Sequence, residues 1–384
     1  MDNKMLSSKE RLLLTMEYKE TDYLPCSFMM FHGLRDSIPD SNWRKFVDAQ
    51  LELGLDTVVE LPELPFATHP EVKIKEWTET VPGVEYPVMN KIYETPAGTM
   101  HTQVKQTSDW PHGDHIEFYD DHNVPRSLKY HVNGLADLKS FRYMMMPPTA
   151  DQIKTYREEC AERKKYAAEK GLLVRGVRGV MIDAAIRFAG VENLVFASVE
   201  YPEYLEEYFG IIWDWNMQRM EIVLDENPDM FLRRAWYENM SFWSPDNFRR
   251  FMKPHLIRET KLAHQLGIKF GYINSCMYMN LLDDFKDIGF DVLIGMDPVE
   301  DIQLDMAVLK REMQGKIALW GGGNGFVTIE EGKPEDVVKE VNEAIDILAP
   351  GGGFILSPVD NVRETSEKAL SNSKVFIDTW KERR

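Results

Sequence analysis

The sequence predicts an α/β fold, a (β/α)8 TIM barrel with an antiparallel β-hairpin insertion after its second strand. Three observations predict it. From Thr21 onward, eight short β-rich apolar runs alternate with segments of helical spacing, the pattern of repeated βα units around a parallel sheet. Several helical segments open on Ser, Asn or Pro, the residues that helix entries prefer. No solenoid-length repeat interrupts the pattern, and 384 residues with 43% hydrophobic content suffice for one large core. The chain, 1–384, therefore reads as a single barrel domain.

The first element is a capped amphipathic helix, in which Ser7-Ser8-Lys9-Glu10 forms a capping signal ahead of Leu12, Leu13 and Met16. Strands are expected at 24–31, 56–63, 172–179, 229–238, 268–275, 291–297, 317–322 and 353–358. Helices are expected at 42–53, 150–170, 202–225, 245–266, 281–288, 334–348 and 365–380. Segment 68–107 departs from this rhythm. It alternates polar and apolar residues between turn signals at Pro82-Gly83 and Pro96-Ala97-Gly98, which predicts antiparallel hairpins.

Composition narrows the function. Lys and Arg number 45 against 63 Asp and Glu, a formal charge of −18 that repels phosphate backbones and anionic lipid surfaces, so neither nucleic acid nor a membrane is an expected partner. Cys26, Cys160 and Cys276 are too few and too scattered for a disulfide framework or a zinc ribbon. The first residues hold no signal-peptide core and no stretch reaches membrane-spanning length, so the expected location is cytoplasmic.

Barrel enzymes carry their working groups at strand C-termini. Read in order, those positions are His32, Glu63, Arg178, Tyr237-Glu238, Asn274 to Cys276, Asp297, Asn324 and Asp360. Asp297 and Asp360 have the surroundings of turn residues. Glu238, His32 and Tyr237 are the expected catalytic groups. Phe31, Glu63, Trp236, Trp243, Asn274 and Cys276 are expected to line the substrate pocket.

Five stretches carry a resemblance: ERLLLTMEYKETDYLPCSF (10–28), YETPAGT (93–99), NSCMYMNLLDDFKDIGFDVL (274–293), ALWGGGNGFVTIEEGKPEDVVKEV (318–341) and GGGFILSPVDNV (351–362). In this order they resemble the uroporphyrinogen decarboxylase superfamily and its corrinoid-dependent methyltransferase branch, over nearly the whole chain. The departures sort the branches. Porphyrinogen decarboxylases carry an arginine-rich loop after the first strand, whereas FMMFHGLRDS has the single Arg35, and Glu63 stands where they have Asp. One Arg in a protein of charge −18 is a poor match for a polycarboxylate. Coenzyme M methyltransferases bind zinc through His-x-Cys and a later Cys. The corresponding residues here are Asn274, Cys276 and Val359, and one thiol cannot hold Zn2+.

Methyltransferases that demethylate aromatic methyl ethers are associated with a zinc pattern E-x14-E-x20-H, which Glu79, Glu94 and His115 match in spacing. The resemblance thus implies Zn2+ on those residues. Such a metal would offset the charge on a phenolate leaving group, whose conjugate acid has a pKa near that of tyrosine, about 10. It also implies that the methyl group passes to the Co(I) corrinoid (cobalamin) of a partner protein, since no DxHxxG corrinoid motif occurs in the chain. The expectation is the substrate-specific methyltransferase of an O-demethylase acting on a small methoxyphenol or dimethoxybenzene. A homodimer is compatible with it. The alternatives are another methyl donor (a methylamine, methanol or a methylthiol), or a tetrapyrrole-binding barrel without turnover.

Overall fold

The computed structural model describes residues 5–384, at 178 and 179 for the backbone only. Strand β1 is Val58–Glu60, and β2 (Lys73–Glu79), β3 (Val88–Thr95), β4 (Gly98–Lys105) and β5 (Ser127–Lys129) follow it in the insertion. The chain then returns to β6 (Leu173–Gly179), β7 (Met230–Arg234), β8 (Lys269–Ile273), β9 (Val292–Met296), β10 (Ala318–Asn324) and β11 (Phe354–Val359). One sheet has the order β1-β6-β7-β8-β9-β10-β11, with parallel registers such as Val58 opposite Leu173 and Leu319 opposite Phe354. The fold is the expected barrel-like α/β arrangement.

The eighth stave is the segment around Cys26–Met30. It makes isolated parallel bridges on the β11 side, Cys26 with Leu356 in the strand and Met30 with Asn361 just past it, while Asp56 N donates to Cys26 O at 2.8 Å on the β1 side. Side chains replace ladder partners there: Cys26 N donates to Asp56 Oδ2 at 3.3 Å and Met29 N to Ser357 Oγ at 2.8 Å. Pro25 has no N–H to offer, so a regular ladder cannot begin earlier.

Residues two or four apart on the strands, on one face of the sheet, meet in one core: Leu173 and Val177, Met230 and Leu232, Val292 and Ile294, Ala318 and Trp320, Ile355 and Val359. Burying each such side chain contributes about 1.5–3 kcal/mol. Leu12 and Met16 join this cluster from helix Ser8–Met16, whose capping box forms as expected, Glu10 N donating to Ser7 Oγ at 3.2 Å and Ser7 N to Glu10 Oε2 at 2.8 Å.

Helices Ala150–Lys170, Pro202–Asp225 and Pro334–Leu348 have the expected bounds. The segment 245–266 instead forms two helices, Pro245–Phe251 and Lys253–Gln265, because Pro254 can sit in a first turn but not within a continuous helix. Strand 56–63 shortens to Val58–Glu60, ended before Pro62, and strand 229–238 ends at Arg234.

The described chain divides into two compact units. One runs up to Glu63 and continues in Tyr156–Arg178 and Val223–Arg384; the other comprises Leu64–Thr155 and Gly179–Ile222. The second unit holds the sheet β2-β3-β4-β5, in which the expected hairpins form with Glu79 opposite Val88 and Thr95 opposite Gly98. Met89, Val104, Trp110 and Ile116 pack beneath that sheet, and Phe66 stacks on Trp215 at 5.5 Å between ring centroids. Among the described residues, no helix is long and apolar enough to cross a membrane.

Candidate active site at the strand ends

The alternation that fills the barrel core also decides which polar groups reach its mouth. Beyond Val58 the next residue in phase is Glu60, beyond Leu173 it is Arg175, and beyond Leu232 it is Arg234. Arg175 and Glu60 pair directly, Arg175 being buried and Glu60 accessible. His32 opens the short helix His32–Ser37 just past the first stave. Asn361, past β11, donates from Nδ2 to His32 Nδ1 at 2.7 Å and accepts His32 N on Oδ1 at 3.1 Å. With Nδ1 occupied as an acceptor, the ring proton resides on Nε2. Burial first, then the nearby Arg35 charge, hold the His32 pKa below its ordinary 6.5, so at pH 7 this imidazole is a neutral donor.

Asp360 follows β11 in a left-handed conformation, φ 60°, with Arg363 Nη2 donating to it at 3.2 Å. Burial raises its pKa, against the attraction of Arg363 and Arg234. Met277, past β8, is the other strand-end residue at positive φ, 54°. Non-glycine residues held there cost of order 1–3 kcal/mol and tend to mark sites where geometry serves function.

A third group gathers past β8, β9 and β10. Asn239 Nδ2 lies 3.6 Å from Cys276 Sγ, and Asp301 Oδ2 accepts Met277 N at 2.9 Å. Asp297 is both a turn residue, accepting Val299 N and Glu300 N at 2.9 Å, and the partner of Asn324 Nδ2 at 2.8 Å. Tyr278 Oη and Asn274 Oδ1 are buried here without a hydrogen-bond partner. Desolvation, followed by the Asp301 charge, raises the Cys276 pKa, which keeps the thiol protonated.

Several expected site residues sit elsewhere. Glu238 is fully buried: Oε1 accepts Arg233 Nη2 at 2.6 Å and Oε2 accepts Tyr272 Oη at 3.1 Å. Arg233 also reaches both oxygens of Glu259, on helix Lys253–Gln265, at 2.7 and 2.8 Å. Because Arg233 is out of phase with core-facing Met230 and Leu232, this network lies between sheet and helices, away from the barrel core where Glu238 was expected to point. Phe31, 2% exposed, packs on Phe28 at 4.8 Å as core rather than pocket wall. Trp243 is likewise buried, its Nε1 donating to Tyr237 O at 2.8 Å. Asn274 ties its Nδ2 to Glu238 O at 3.1 Å. Trp236 and Tyr237 remain partly accessible just past β7, Trp236 against the barrel core. Glu63 is exposed beyond the end of β1, and the Arg178 side chain lies outside the described residues.

The expected zinc ligands do not converge. In the β2–β3 register Glu79 faces Val88 and Glu94 faces Lys73, which separates the two carboxylates by six strand positions, roughly 20 Å at about 3.3 Å each. Glu79 accepts Asn90 Nδ2 at 3.0 Å and Glu94 pairs with Lys75, while His115 binds Glu76 at 2.8 Å. Zn–O and Zn–N bonds near 2 Å cannot span that distance, so no zinc chemistry is assigned to these three residues.

The model of the uroporphyrinogen decarboxylase (URO-D) family matches residues 116–382. The chain belongs to that family. Among solved structures, a methyltransferase from Methanosarcina mazei is similar with a TM-score of 0.57 and 19% identity, covering 98% of this chain and 99% of its own. A B12-independent methionine synthase from Shewanella sp. W3-18-1 is similar over 59% of this chain and 65% of its own, at 11% identity and a TM-score of 0.43. No curated protein is similar in sequence.

For this URO-D family member, the groups that reading strand ends did not find are Glu60, Arg175, Arg234, Asn361 and Asp301. The alternation from Val58, Leu173 and Leu232 was the available signal for the first three.

Proposed function

We propose that this chain is the substrate-binding methyltransferase of a corrinoid-dependent pair, taking a methyl group from a small aromatic methyl ether. The observation that carries the reading is the electrostatics of the mouth. Glu60, Asp297, Glu300, Asp301 and Asp360 outnumber Arg175, Arg234 and Arg363 at the strand ends, and Arg35, the one arginine of the loop after the first stave, is spent on Asp36 at 2.8 Å. A polycarboxylate would meet repulsion at such a mouth, whereas a neutral ether would not. The near-full-length likeness to a methyltransferase supports the same class.

In such a pair the partner's corrinoid supplies the nucleophile that accepts the methyl group. This chain's residues must bind the ring, shield it from water and meet the charge that develops on the ether oxygen. His32 Nε2–H and the Arg234 guanidinium are the donors suited to that oxygen, and Trp236 with Tyr237 offers aromatic surface beside them. Around the mouth, Val299, Ile302, Phe326 and Val327 are exposed apolar residues past β9 and β10, a surface suited to a docked partner protein.

The acid surplus favours one second reading, a methylated amine whose ammonium the carboxylates would attract. Incubating the chain with cob(I)alamin and, in parallel, methoxyphenol, dimethoxybenzene, anisole and methylamines tests both readings. Methyl transfer from the ethers supports the proposal, transfer from amines alone replaces it, and no transfer from any donor rejects both.

A further inference from the structure

The second unit holds a group of side chains that the barrel mouth does not use. His112, Asp120 and His122 each offer one ligand atom, all within 4.8 Å of one another, the one such group of three among the described residues. His112 Nε2 stands 3.5 Å from Asp120 Oδ1, and His122 Nδ1 stands 2.7 Å from the same oxygen. The two imidazoles meet edge to face, 5.6 Å between centroids.

Local sequence explains the convergence. Asp120 caps the 3-10 turn Asp121–Arg126 by accepting His122 N at 2.6 Å, which folds His122 back over the carboxylate. Trp110 lies edge-on to His112 at 5.0 Å and holds its ring. On the same loop Asp114 and Glu117 add acidic charge, whereas Asp109 and Asp121 are paired with Arg126 and Arg187.

An independent observation points to a ligand. His112 Nε2 is buried and has no hydrogen-bond partner, although leaving a buried polar atom unpaired costs about 1–3 kcal/mol. A bound cation would satisfy it. Tetrahedral Zn2+ with bonds near 2.0–2.1 Å places ligand atoms roughly 3.4 Å apart. The 3.5 Å separation of His112 and Asp120 already matches this, and the closer His122 contact needs to open by less than an ångström once a metal replaces its hydrogen bond.

We propose that His112, Asp120 and His122 form a binding site for a divalent borderline metal ion, Zn2+ foremost, with two imidazoles, one carboxylate and an open fourth position. Two nitrogens and one hard oxygen suit Zn2+ or Co2+ better than Mg2+ or Ca2+, which take oxygen ligands. His115 is on the same loop but is held by Glu76, so the spacing-derived triad and this one share no residue. The site does not depend on the proposed methyl transfer.

The test uses the full chain, stripped by dialysis against a chelator and titrated with Zn2+ by calorimetry and with Co2+ by visible absorption. One ion per chain with micromolar or tighter affinity is expected, and a Co2+ spectrum bearing nitrogen ligands. His122→Ala, at a half-exposed position, should weaken binding at least tenfold while leaving the thermal melt in place, and Asp120→Asn should do the same. Glu79→Gln with Glu94→Gln should change nothing. Absence of stoichiometric binding, or affinity unchanged in both His112→Ala and His122→Ala, would overturn the proposal.

Discussion

Arg233 donates to Glu238 at 2.6 Å from a position where neither side chain touches water. With Glu259 on its other nitrogen, this one cation serves two buried carboxylates; burial works against its charge, and the two acids beside it outweigh burial and keep the guanidinium charged. Removing it takes the shared cation away from two desolvated carboxylates. Arg233→Met should therefore lose about 3–5 kcal/mol, read as a lowered denaturation midpoint. Glu238→Ala should destabilise too; if it abolished turnover with an unchanged melt, Glu238 would be a reacting group after all.

Asn361 sets the tautomer of His32 by donating to its Nδ1. Asn361→Asp replaces that donor with an acceptor and a charge, which should move the ring proton to Nδ1 and raise the His32 pKa. An NMR titration reads this directly. Methyl transfer should fall about 10–100-fold in Asn361→Asp, the range typical of lost supporting contacts, with the melt little changed. A His32 titration identical in both proteins would show that the contact does not govern the ring.

Glu340, on helix Pro334–Leu348, accepts Asn324 N at 2.6 Å and Thr328 Oγ1 at 2.7 Å, and burial raises its pKa from 4.5 to about 7. A carboxyl raised on folding stabilises the protein fully below pH 4.5 and loses that contribution as pH climbs through about 7. The swing is at most about 3 kcal/mol. Glu340→Gln keeps an acceptor for Asn324 N and should flatten the stability profile between pH 5 and 8, as chemical denaturation at several pH values would show. A profile as steep as wild type would assign the slope to other groups.

Ile302, 89% exposed, and Phe326, 54% exposed, follow β9 and β10. Charges placed there should disturb a docked protein and spare a small acceptor. Ile302→Glu with Phe326→Glu is expected to slow methyl transfer to the corrinoid protein while leaving transfer to free cob(I)alamin unchanged. Equal losses with both acceptors would exclude this surface as the dock.

Much of the barrel was legible because each strand is a short β-rich run bounded by turn residues, and even the irregular stave at 24–31 keeps that signature. The inward phase was harder. Reading strand ends by position selected Glu63 and Glu238, whereas the side chains aligned with core-facing Val58 and Leu232 are Glu60 and Arg234. Pro62 was the available sign that β1 stops early. For Glu238 the one local sign was Arg233, five residues earlier and out of phase with core-facing Leu232; Glu259 joins the pair only through the packing of a helix on the sheet. The Glu79, Glu94 and His115 spacing failed for a reason the hairpin contained: a turn at Pro82-Gly83 pairs Glu79 with Val88 and carries Glu94 to the opposite end. His112, Asp120 and His122 gave no pattern in sequence, because a 3-10 turn brings them together.

Apart from its two bonds to Asp56, the stave around Cys26–Met30 is held by residues roughly three hundred positions later. Met29 N binds Ser357, Ser27 O accepts Trp320 Nε1 at 2.8 Å and Leu24 O accepts Trp380 Nε1 at 2.7 Å. On the ribosome, this early segment must therefore wait for residues 320–380 to emerge before it has a place to bind. Until then β1 and the growing sheet present open edges, the state in which nascent chains are exposed to aggregation and to chaperones. Such long-range closure slows folding, and moving the chain's opening so that residues 24–31 follow β11 directly would be expected to speed it.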